Sequence, residues 1–150
     1  MKNVRTVIWD LDGTLWSFKE DEVDIICKKL NINNKERFKQ EYYKMWENIY
    51  IYFKNKIQTY NKARQYIEKE IPILKLCNIS VDEFLEVIYE QKSEFVISNE
   101  GAIETMKYLS KKGITNISIT DCFAQYQQKV LYELGMLKYI KKYMDVIMHI

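Results

Sequence analysis

The sequence predicts an α/β fold in which a long helical insertion interrupts a parallel sheet, and three features support this prediction. An apolar, β-prone run from Thr6 to Leu11 ends in an acidic turn. A helical pattern without a convincing strand then extends from about Glu20 to about Lys92. The residues after it alternate between helix and strand patterns. This order is the βαβαβ order of a parallel sheet with right-handed crossovers.

The first strand is predicted to be parallel and fully buried, since apolar residues run through it from Thr6 to Leu11. It delivers Asp10 and Asp12 one residue apart, and Gly13-Thr14 then breaks the strand. Ligands in α/β proteins bind at the carboxyl ends of the strands. Both carboxylates are therefore expected at a binding site.

The insertion contains several helix signals. Asn33 or Asn34 is positioned to cap a long helix, a second helix fits 60–71, and Pro72 ends it. Ser80-Val81-Asp82-Glu83 is a capping box that precedes a further helix. The long helix carries an apolar stripe at steps of three and four, expected to be buried between helices: Phe38, Tyr42, Met45, Trp46, Ile49 and Phe53.

The last third of the chain predicts a helix at 100–112, a strand at 114–120, a helix at 123–134 and a new strand at 145–150. Gly113 and Gly135 follow the two helices as stop signals. The predicted domains are an incomplete α/β core at 1–18 and 99–150 and a helical cap at 19–98. Since the cap segment leaves directly after the acidic turn, it is expected to fold over the site.

Composition bounds the class of protein. Hydrophobic residues make up 47% and aromatic residues 14% of the 150 residues, which is enough for a packed core. The formal charge of +2 gives no sign of nucleic-acid binding, and no apolar run is long enough to span a membrane. Three distant cysteines and one histidine argue against a disulfide framework or a zinc site. A cytoplasmic protein is expected.

The acidic turn has three interpretations. A plain polar turn remains one of them, because Asp and Gly are favoured in turns. An EF-hand loop starting at Asp10 would need Gly at its sixth position, where Leu15 stands, and a helix before it. The third is a site for Mg²⁺, which would offset two close negative charges; an aspartate beside such a cation can attack phosphorus.

The run Asp10-Leu11-Asp12-Gly13-Thr14-Leu15 resembles the first motif of the haloacid dehalogenase superfamily. Ile117-Ser118-Ile119-Thr120 resembles the second motif, in which Thr or Ser ends the next core strand. The helical insertion is similar to the cap that follows the first strand in one large branch of that family. The resemblance covers the whole chain and implies a partial Rossmann-like parallel sheet with an inserted helical cap.

The resemblance also implies roles for individual residues. Asp10 would be the nucleophile and Asp12 the general acid and base, and both would bind Mg²⁺, Asp12 through its backbone carbonyl. Thr120 would donate its hydroxyl to the phosphoryl oxygens, although a strand-end Thr that caps the next helix is an alternative. Backbone N–H groups near the turn and the second motif would add to this cradle. The implied substrate-binding positions are Leu11, Gly13, Thr120 and Asp121.

The expected function is Mg²⁺-dependent hydrolysis of a small phosphorylated metabolite through an aspartyl phosphate; a phosphomutase belongs to the same class. The family's dehalogenases lack an acid at the position of Asp12, so phosphate esters are favoured over halo acids. The alternative is a truncated, non-catalytic remnant that binds phosphate, metal or a protein partner. That alternative arises because the family has two further motifs, a lysine and an acidic pair, and neither follows the last predicted strand. Lys141 and Lys142 stand before that strand.

The same pattern leads to an expectation about partners. Without a further strand beside it, the first strand would expose an apolar edge. Self-association, or pairing with a complementing chain, is therefore expected through the edge of Thr6 to Leu11.

Overall fold

The computed structural model describes residues 4–53, 60–120 and 124–145. The chain divides into two compact units, one formed by 1–19 and 93–146 and the other by 20–92 and 147–150. Their secondary structure follows in chain order. The elements are β1 (Thr6–Trp9), β2 (Trp16–Phe18), α1 (Glu22–Leu30), α2 (Lys35–Phe53), α3 (Tyr60–Glu70), α4 (Pro72–Leu76), α5 (Val81–Leu85), a π-helical stretch (Glu86–Glu90), α6 (Lys92–Phe95), β3 (Val96–Ser98), α7 (Ala102–Lys111), β4 (Thr115–Thr120), α8 (Ala124–Glu133), a 3₁₀ turn (Leu137–Tyr139) and β5 (Ile140–Asp145).

The first unit contains a parallel sheet in the order β1-β4-β5. In β1, Thr6 pairs with Thr115 and Trp9 with Ser118, and β4 in turn pairs in parallel with β5. Helix α8 forms the crossover between the parallel strands β4 and β5, and α7 is the last helix of the long connection from β1 to β4. The predicted α/β fold class with a parallel sheet is confirmed.

The prediction that the first strand is fully buried is wrong. β1 ends at Trp9, and Ile8 is 59% exposed. Within the described residues β1 pairs only with β4, so it lies at an edge of the sheet. An apolar strand sequence is buried on both faces only when further elements cover it, and here they do not cover Ile8.

Polar side chains, not apolar ones, occupy the buried face of β4. Asn116, Ser118 and Thr120 are buried, whereas Ile117 and Ile119 are only half-buried. The Asn116 amide donates to the carbonyl oxygen of Met106 in α7, so this face lies against the crossover helices. The apolar core of the unit surrounds it: Leu11, Leu15, Trp16, Val96, Ala102, Met106, Val130, Leu131, Met136 and Ile140.

The last strand begins earlier than predicted. β5 spans Ile140–Asp145, whereas the sequence pattern placed a strand at 145–150, of which 146–150 lie outside the described residues. Lys141 and Lys142 belong to the strand and are exposed, so they do not precede it. A 3₁₀ turn follows the stop at Gly135 and leads directly into β5. Lysines in solvent do not prevent backbone pairing, which is why a polar segment forms this strand.

A two-stranded antiparallel sheet of β2 and β3 was not predicted. Trp16 pairs with Ser98 and Phe18 with Val96. The two strands are only three residues long, too short for a period of two to stand out in the sequence. Their pairing joins the segment that leaves the acidic turn to the segment that returns at Ser98.

The second unit is helical, as the sequence predicted for 20–92. Asn34 caps α2, since its side-chain oxygen accepts from the backbone N–H of Arg37. The Ser80 capping box is confirmed, with Glu83 as its reciprocal partner. Four residues of the predicted stripe are buried, but Trp46 is only half-buried and the Phe53 side chain lies outside the described residues. The buried members are Phe38, Tyr42, Met45 and Ile49.

In the part of the chain that the structure describes, every helix is too short or too polar to cross a membrane.

Candidate active site

The acidic turn directly follows β1 and closes on itself through backbone hydrogen bonds. The carbonyl oxygen of Leu11 accepts from the N–H groups of Thr14 and Leu15 at 3.2 and 2.9 Å. Gly13 has a φ of +77°, a conformation that side chains disfavour, and its N–H donates to the carbonyl oxygen of Trp16 at 2.8 Å. The turn therefore has a fixed shape, which sets the backbone positions from which the Asp10 and Asp12 side chains extend.

Asp10 is exposed at the carboxyl end of β1. The hydroxyl of Thr14 donates to Asp10 Oδ2 at 2.8 Å. This bond orients the carboxylate with a single neutral donor. An exposed, oriented carboxylate at a strand end is suited to meet a ligand from solvent.

Asp12 receives a hydrogen bond on each of its carboxylate oxygens. Trp16 Nε1 donates to Oδ1 at 2.9 Å, and Gln127 Nε2 donates to Oδ2 at 2.5 Å. Both donors are fully buried, at 0% and 1% exposure. Both aspartates of the turn are exposed, but they differ in their donors: Asp10 accepts from the hydroxyl of Thr14, and Asp12 accepts from the N–H groups of two buried side chains.

Thr120 ends β4 and is buried. Gln127 Nε2 lies 3.4 Å from Thr120 Oγ1 as well as close to Asp12 Oδ2. The structure therefore brings Asp12 and Thr120, which the sequence singled out separately, to one side-chain nitrogen. Gln127 and Asp12 are 115 positions apart in the chain.

The remaining predicted positions differ in what they present. The Leu11 side chain is buried in the core, so only its backbone is available to a ligand. The N–H of Gly13 is used within the turn. Asp121 lies outside the described residues. Among these positions, the side chains that the structure brings together are those of Asp12 and Thr120.

Three residues of the site were missed from the sequence: Trp16, Asn99 and Gln127. Trp16 lies four positions after Asp12, but in a sequence an aromatic residue beside a strand is interpreted as a core residue. Asn99 donates through its side chain to the carbonyl oxygens of Gly13 and Thr14. No local pattern marks Gln127 or Asn99, because their contacts join segments far apart in the chain.

The oxygen donors of the turn are of the chemical type that a hard cation binds. Asp10 offers an exposed carboxylate, and Mg²⁺ commonly binds through one or two carboxylates, with waters and substrate phosphate completing its shell. Over residues 4–53, 60–120 and 124–145, no group of three acidic, histidine or cysteine side chains converges. Asp10 and the backbone carbonyl of Asp12 are the positions of the turn that would hold the ion.

A parallel α/β sheet whose first strand ends in an acidic turn defines a class of proteins that bind ligands at the carboxyl edge of the sheet. Comparison with protein families specifies the class further: residues 4–149 match the model of the haloacid dehalogenase-like hydrolases. The chain belongs to this family, and the resemblance drawn from its two motifs is confirmed.

Solved structures share the fold at low sequence identity. A HAD phosphatase from Thermococcus onnurineus is 18% identical with a TM-score of 0.53, over 93% of this chain and 61% of that one. The L-2-haloacid dehalogenase from Xanthobacter autotrophicus is 11% identical with a TM-score of 0.59, over 96% and 57%. A predicted phosphoglycolate phosphatase from Haemophilus somnus 129pt is 13% identical with a TM-score of 0.55, over 95% and 62%.

The chain thus spans about three fifths of the length of these structures. No curated protein matches it.

Proposed function

We propose that this hydrolase is a Mg²⁺-dependent phosphatase that acts on a small phosphorylated metabolite through an aspartyl phosphate. One observation carries the proposal: Gln127 Nε2 donates to the carboxylate of Asp12 and to the hydroxyl of Thr120, and Asp10 stands two residues before Asp12. A nucleophile, an acid and a phosphate-binding hydroxyl would then border one site.

Asp10 is proposed as the nucleophile. Its exposed carboxylate would attack phosphorus with one oxygen and displace the alcohol of the ester, which gives an acyl phosphate on Asp10. The Thr14 hydroxyl bonds Oδ2, which leaves the other oxygen of this carboxylate for the attack.

Asp12 is proposed as the general acid and base. In the first step it would give a proton to the departing alkoxide; in the second it would take a proton from the water that hydrolyses the acyl phosphate. A carboxylate beside the nucleophile is needed for phosphate esters, because their leaving group requires a proton. A halide leaves without one, which favours phosphate esters over halo acids.

Thr120 is proposed to bind the phosphoryl group through its hydroxyl at the end of β4. When bound, Mg²⁺ would neutralise charge on the phosphoryl oxygens. Asp10 and the Asp12 carbonyl are the proposed ligands from this chain.

The test is hydrolysis of an aryl phosphate by the wild type and by Asp10→Asn, with and without Mg²⁺. The wild type should release phosphate only with Mg²⁺, and Asp10→Asn should lose this activity to the limit of detection, since an amide is a poor nucleophile. Asp82→Asn, the same change at an exposed position of the helical unit, is the matched control and should keep full activity. Turnover in Asp10→Asn close to that of the wild type would disprove the nucleophile.

A haloacid substrate assayed in parallel separates the two chemistries of the family. Release of halide with no release of phosphate would assign the chain to carbon–halogen cleavage and overturn the proposal.

A further inference from the structure

Gln127 occupies a position in α8 where an apolar residue would ordinarily stand. It is 1% exposed and lies three and four positions before Val130 and Leu131, both of which are fully buried in the core. These spacings place all three on the same, inward face of the helix. A residue with a purely structural role at this position would be Leu or Met, because burial of an amide costs free energy unless it is fully hydrogen-bonded.

The Gln127 amide is not fully hydrogen-bonded within the protein. Its nitrogen donates to Asp12 Oδ2 and approaches Thr120 Oγ1, but its buried oxygen Oε1 has no partner among the described residues. An unpaired buried oxygen is destabilising, because it has given up its hydrogen bonds to water. Burial of the Gln127 side chain therefore carries an unfavourable free energy that packing alone does not explain.

The bond to Asp12 is the compensating interaction. Hydrogen bonds to a carboxylate are stronger than those between neutral groups, and Gln127 Nε2 donates such a bond to Asp12 Oδ2. Trp16 Nε1 donates to the other oxygen, so the carboxylate plane of Asp12 is fixed by two buried donors on different elements. Strand β2 supplies one donor, and the crossover helix α8 supplies the other.

We infer that Gln127 is a positioning residue that orients the Asp12 carboxylate for proton transfer. The inference rests on the proposed acid–base role of Asp12. Gln127 contacts Asp12 and not the ester, so its removal should slow the steps that need a well-placed proton donor and should leave substrate binding nearly unchanged.

The leaving group tests this role. An alkyl phosphate needs a proton on its departing oxygen, whereas a nitrophenyl phosphate leaves without one. Gln127→Leu and Gln127→Met remove the donor with side chains of two lengths, so that a packing defect in one does not decide the result. Both should lower the single-turnover rate of phosphoryl transfer to Asp10 about tenfold more for the alkyl ester than for the aryl ester, with little change in substrate affinity.

Gln128→Leu is the matched control, since Gln128 is the half-buried neighbour on the same helix. It should leave both rates unchanged. An equal loss of this transfer rate on both esters, or no loss, in the two Gln127 variants would overturn the inference while the proposed function stands.

A readout that needs no activity accompanies the assay. The indole N–H of Trp16 donates to the same carboxylate, and its proton resonance can be assigned by loss in Trp16→Phe. In the Gln127 variants this resonance should move and its hydrogen should exchange faster, because the carboxylate is no longer fixed; Gln128→Leu should leave it in place.

An unmoved Trp16 resonance in both Gln127 variants would show that Gln127 does not orient Asp12 and would overturn the inference at its geometric step. Failure of the wild type to hydrolyse either ester would instead remove the proposed function and the catalytic role of Gln127 with it.

Discussion

Asn99 donates a 2.9 Å hydrogen bond from its side-chain amide to the carbonyl oxygen of Thr14, which lies 85 positions earlier in the chain. The same amide donates to the carbonyl oxygen of Gly13, and its oxygen accepts from the Ser17 hydroxyl at 2.8 Å. The backbone N–H of Asn99 donates to the carbonyl oxygen of Leu15. One residue at the return from the helical unit therefore fixes the acidic turn from outside.

We expect Asn99→Leu to lower both the free energy of unfolding and the phosphatase activity. The change removes two exposed hydrogen bonds to turn carbonyls and one part-buried bond from the Ser17 hydroxyl, at a cost of about 1 kcal/mol because water can replace the exposed partners. Urea unfolding followed by tryptophan fluorescence measures the loss, and aryl phosphate hydrolysis measures the effect on Asp10 and Asp12. Glu100→Ala, at the exposed neighbouring position, serves as control, and equal unfolding midpoints for the two variants would contradict this account.

Asp12→Asn should trap the acyl phosphate if Asp12 is the acid and base. An aryl ester can still phosphorylate Asp10 because its leaving group needs no proton, but the water of the second step is not activated. Steady-state turnover should fall by about 10²–10⁴-fold. Labelled phosphate should remain on the acid-quenched protein and be released by hydroxylamine. Absence of label together with undiminished turnover would rule out this role.

Asn116 joins the buried face of β4 to three other segments. Its amide donates to the carbonyl oxygens of Met106 and Tyr139 and to the Ser110 hydroxyl, and its oxygen accepts from Trp9 Nε1 at 2.9 Å. Asn116→Leu should lower the free energy of unfolding by about 2–3 kcal/mol, because it leaves buried polar groups unpaired. Urea titration measures this loss. Thr115→Ala, next to it on the half-buried face, should cost less; a larger loss there would be the contrary result.

The sequence predicts the fold class because the βαβαβ order and the helical insertion are local patterns. It does not predict the environment of β1, since burial of Ile8 depends on what pairs with and covers the strand. The start of β5 was missed for a related reason. Lys141 and Lys142 look unlike a buried strand, yet both belong to β5 with exposed side chains, and Lys142 pairs with Ile117 of β4.

The residues of the site likewise fall into those that the sequence predicts and those that it does not. Asp10 and Asp12 are recognisable because they share one turn with Gly13, and a motif can hold only what is near in sequence. Gln127 and Asn99 act across 115 and 85 positions. Their roles follow from the packing of α8 and from the β2–β3 pairing, which no single segment encodes.

The Ser80 capping box gives a pH-dependent prediction for the helical unit. The hydroxyl and backbone N–H of Ser80 donate to the Glu83 carboxylate and lower its pKa from the ordinary value. A depressed carboxylate pKa adds stability above the unfolded-state pKa, and this stability is lost as the pH falls through the lower, folded-state pKa. Glu83→Gln should therefore unfold at lower urea than the wild type near neutral pH, and the two should converge in acid. A difference that grows on acidification would contradict the assignment.

The exposed edge of β1 predicts association of the 150-residue chain. Ile8 is 59% exposed and pairs in register with Ile117, so an apolar strip continues from the edge strand onto the half-buried face of β4. An uncovered strand edge with apolar side chains is a template for pairing with another chain.

Sedimentation velocity should show a mass that rises with concentration, and Ile8→Lys should lower this mass. Ile97→Lys is the matched control, because Ile97 is 57% exposed but belongs to the two-stranded sheet. A mass that stays at one chain for the wild type at every concentration, or an equal response to both substitutions, would show that the β1 edge does not mediate association.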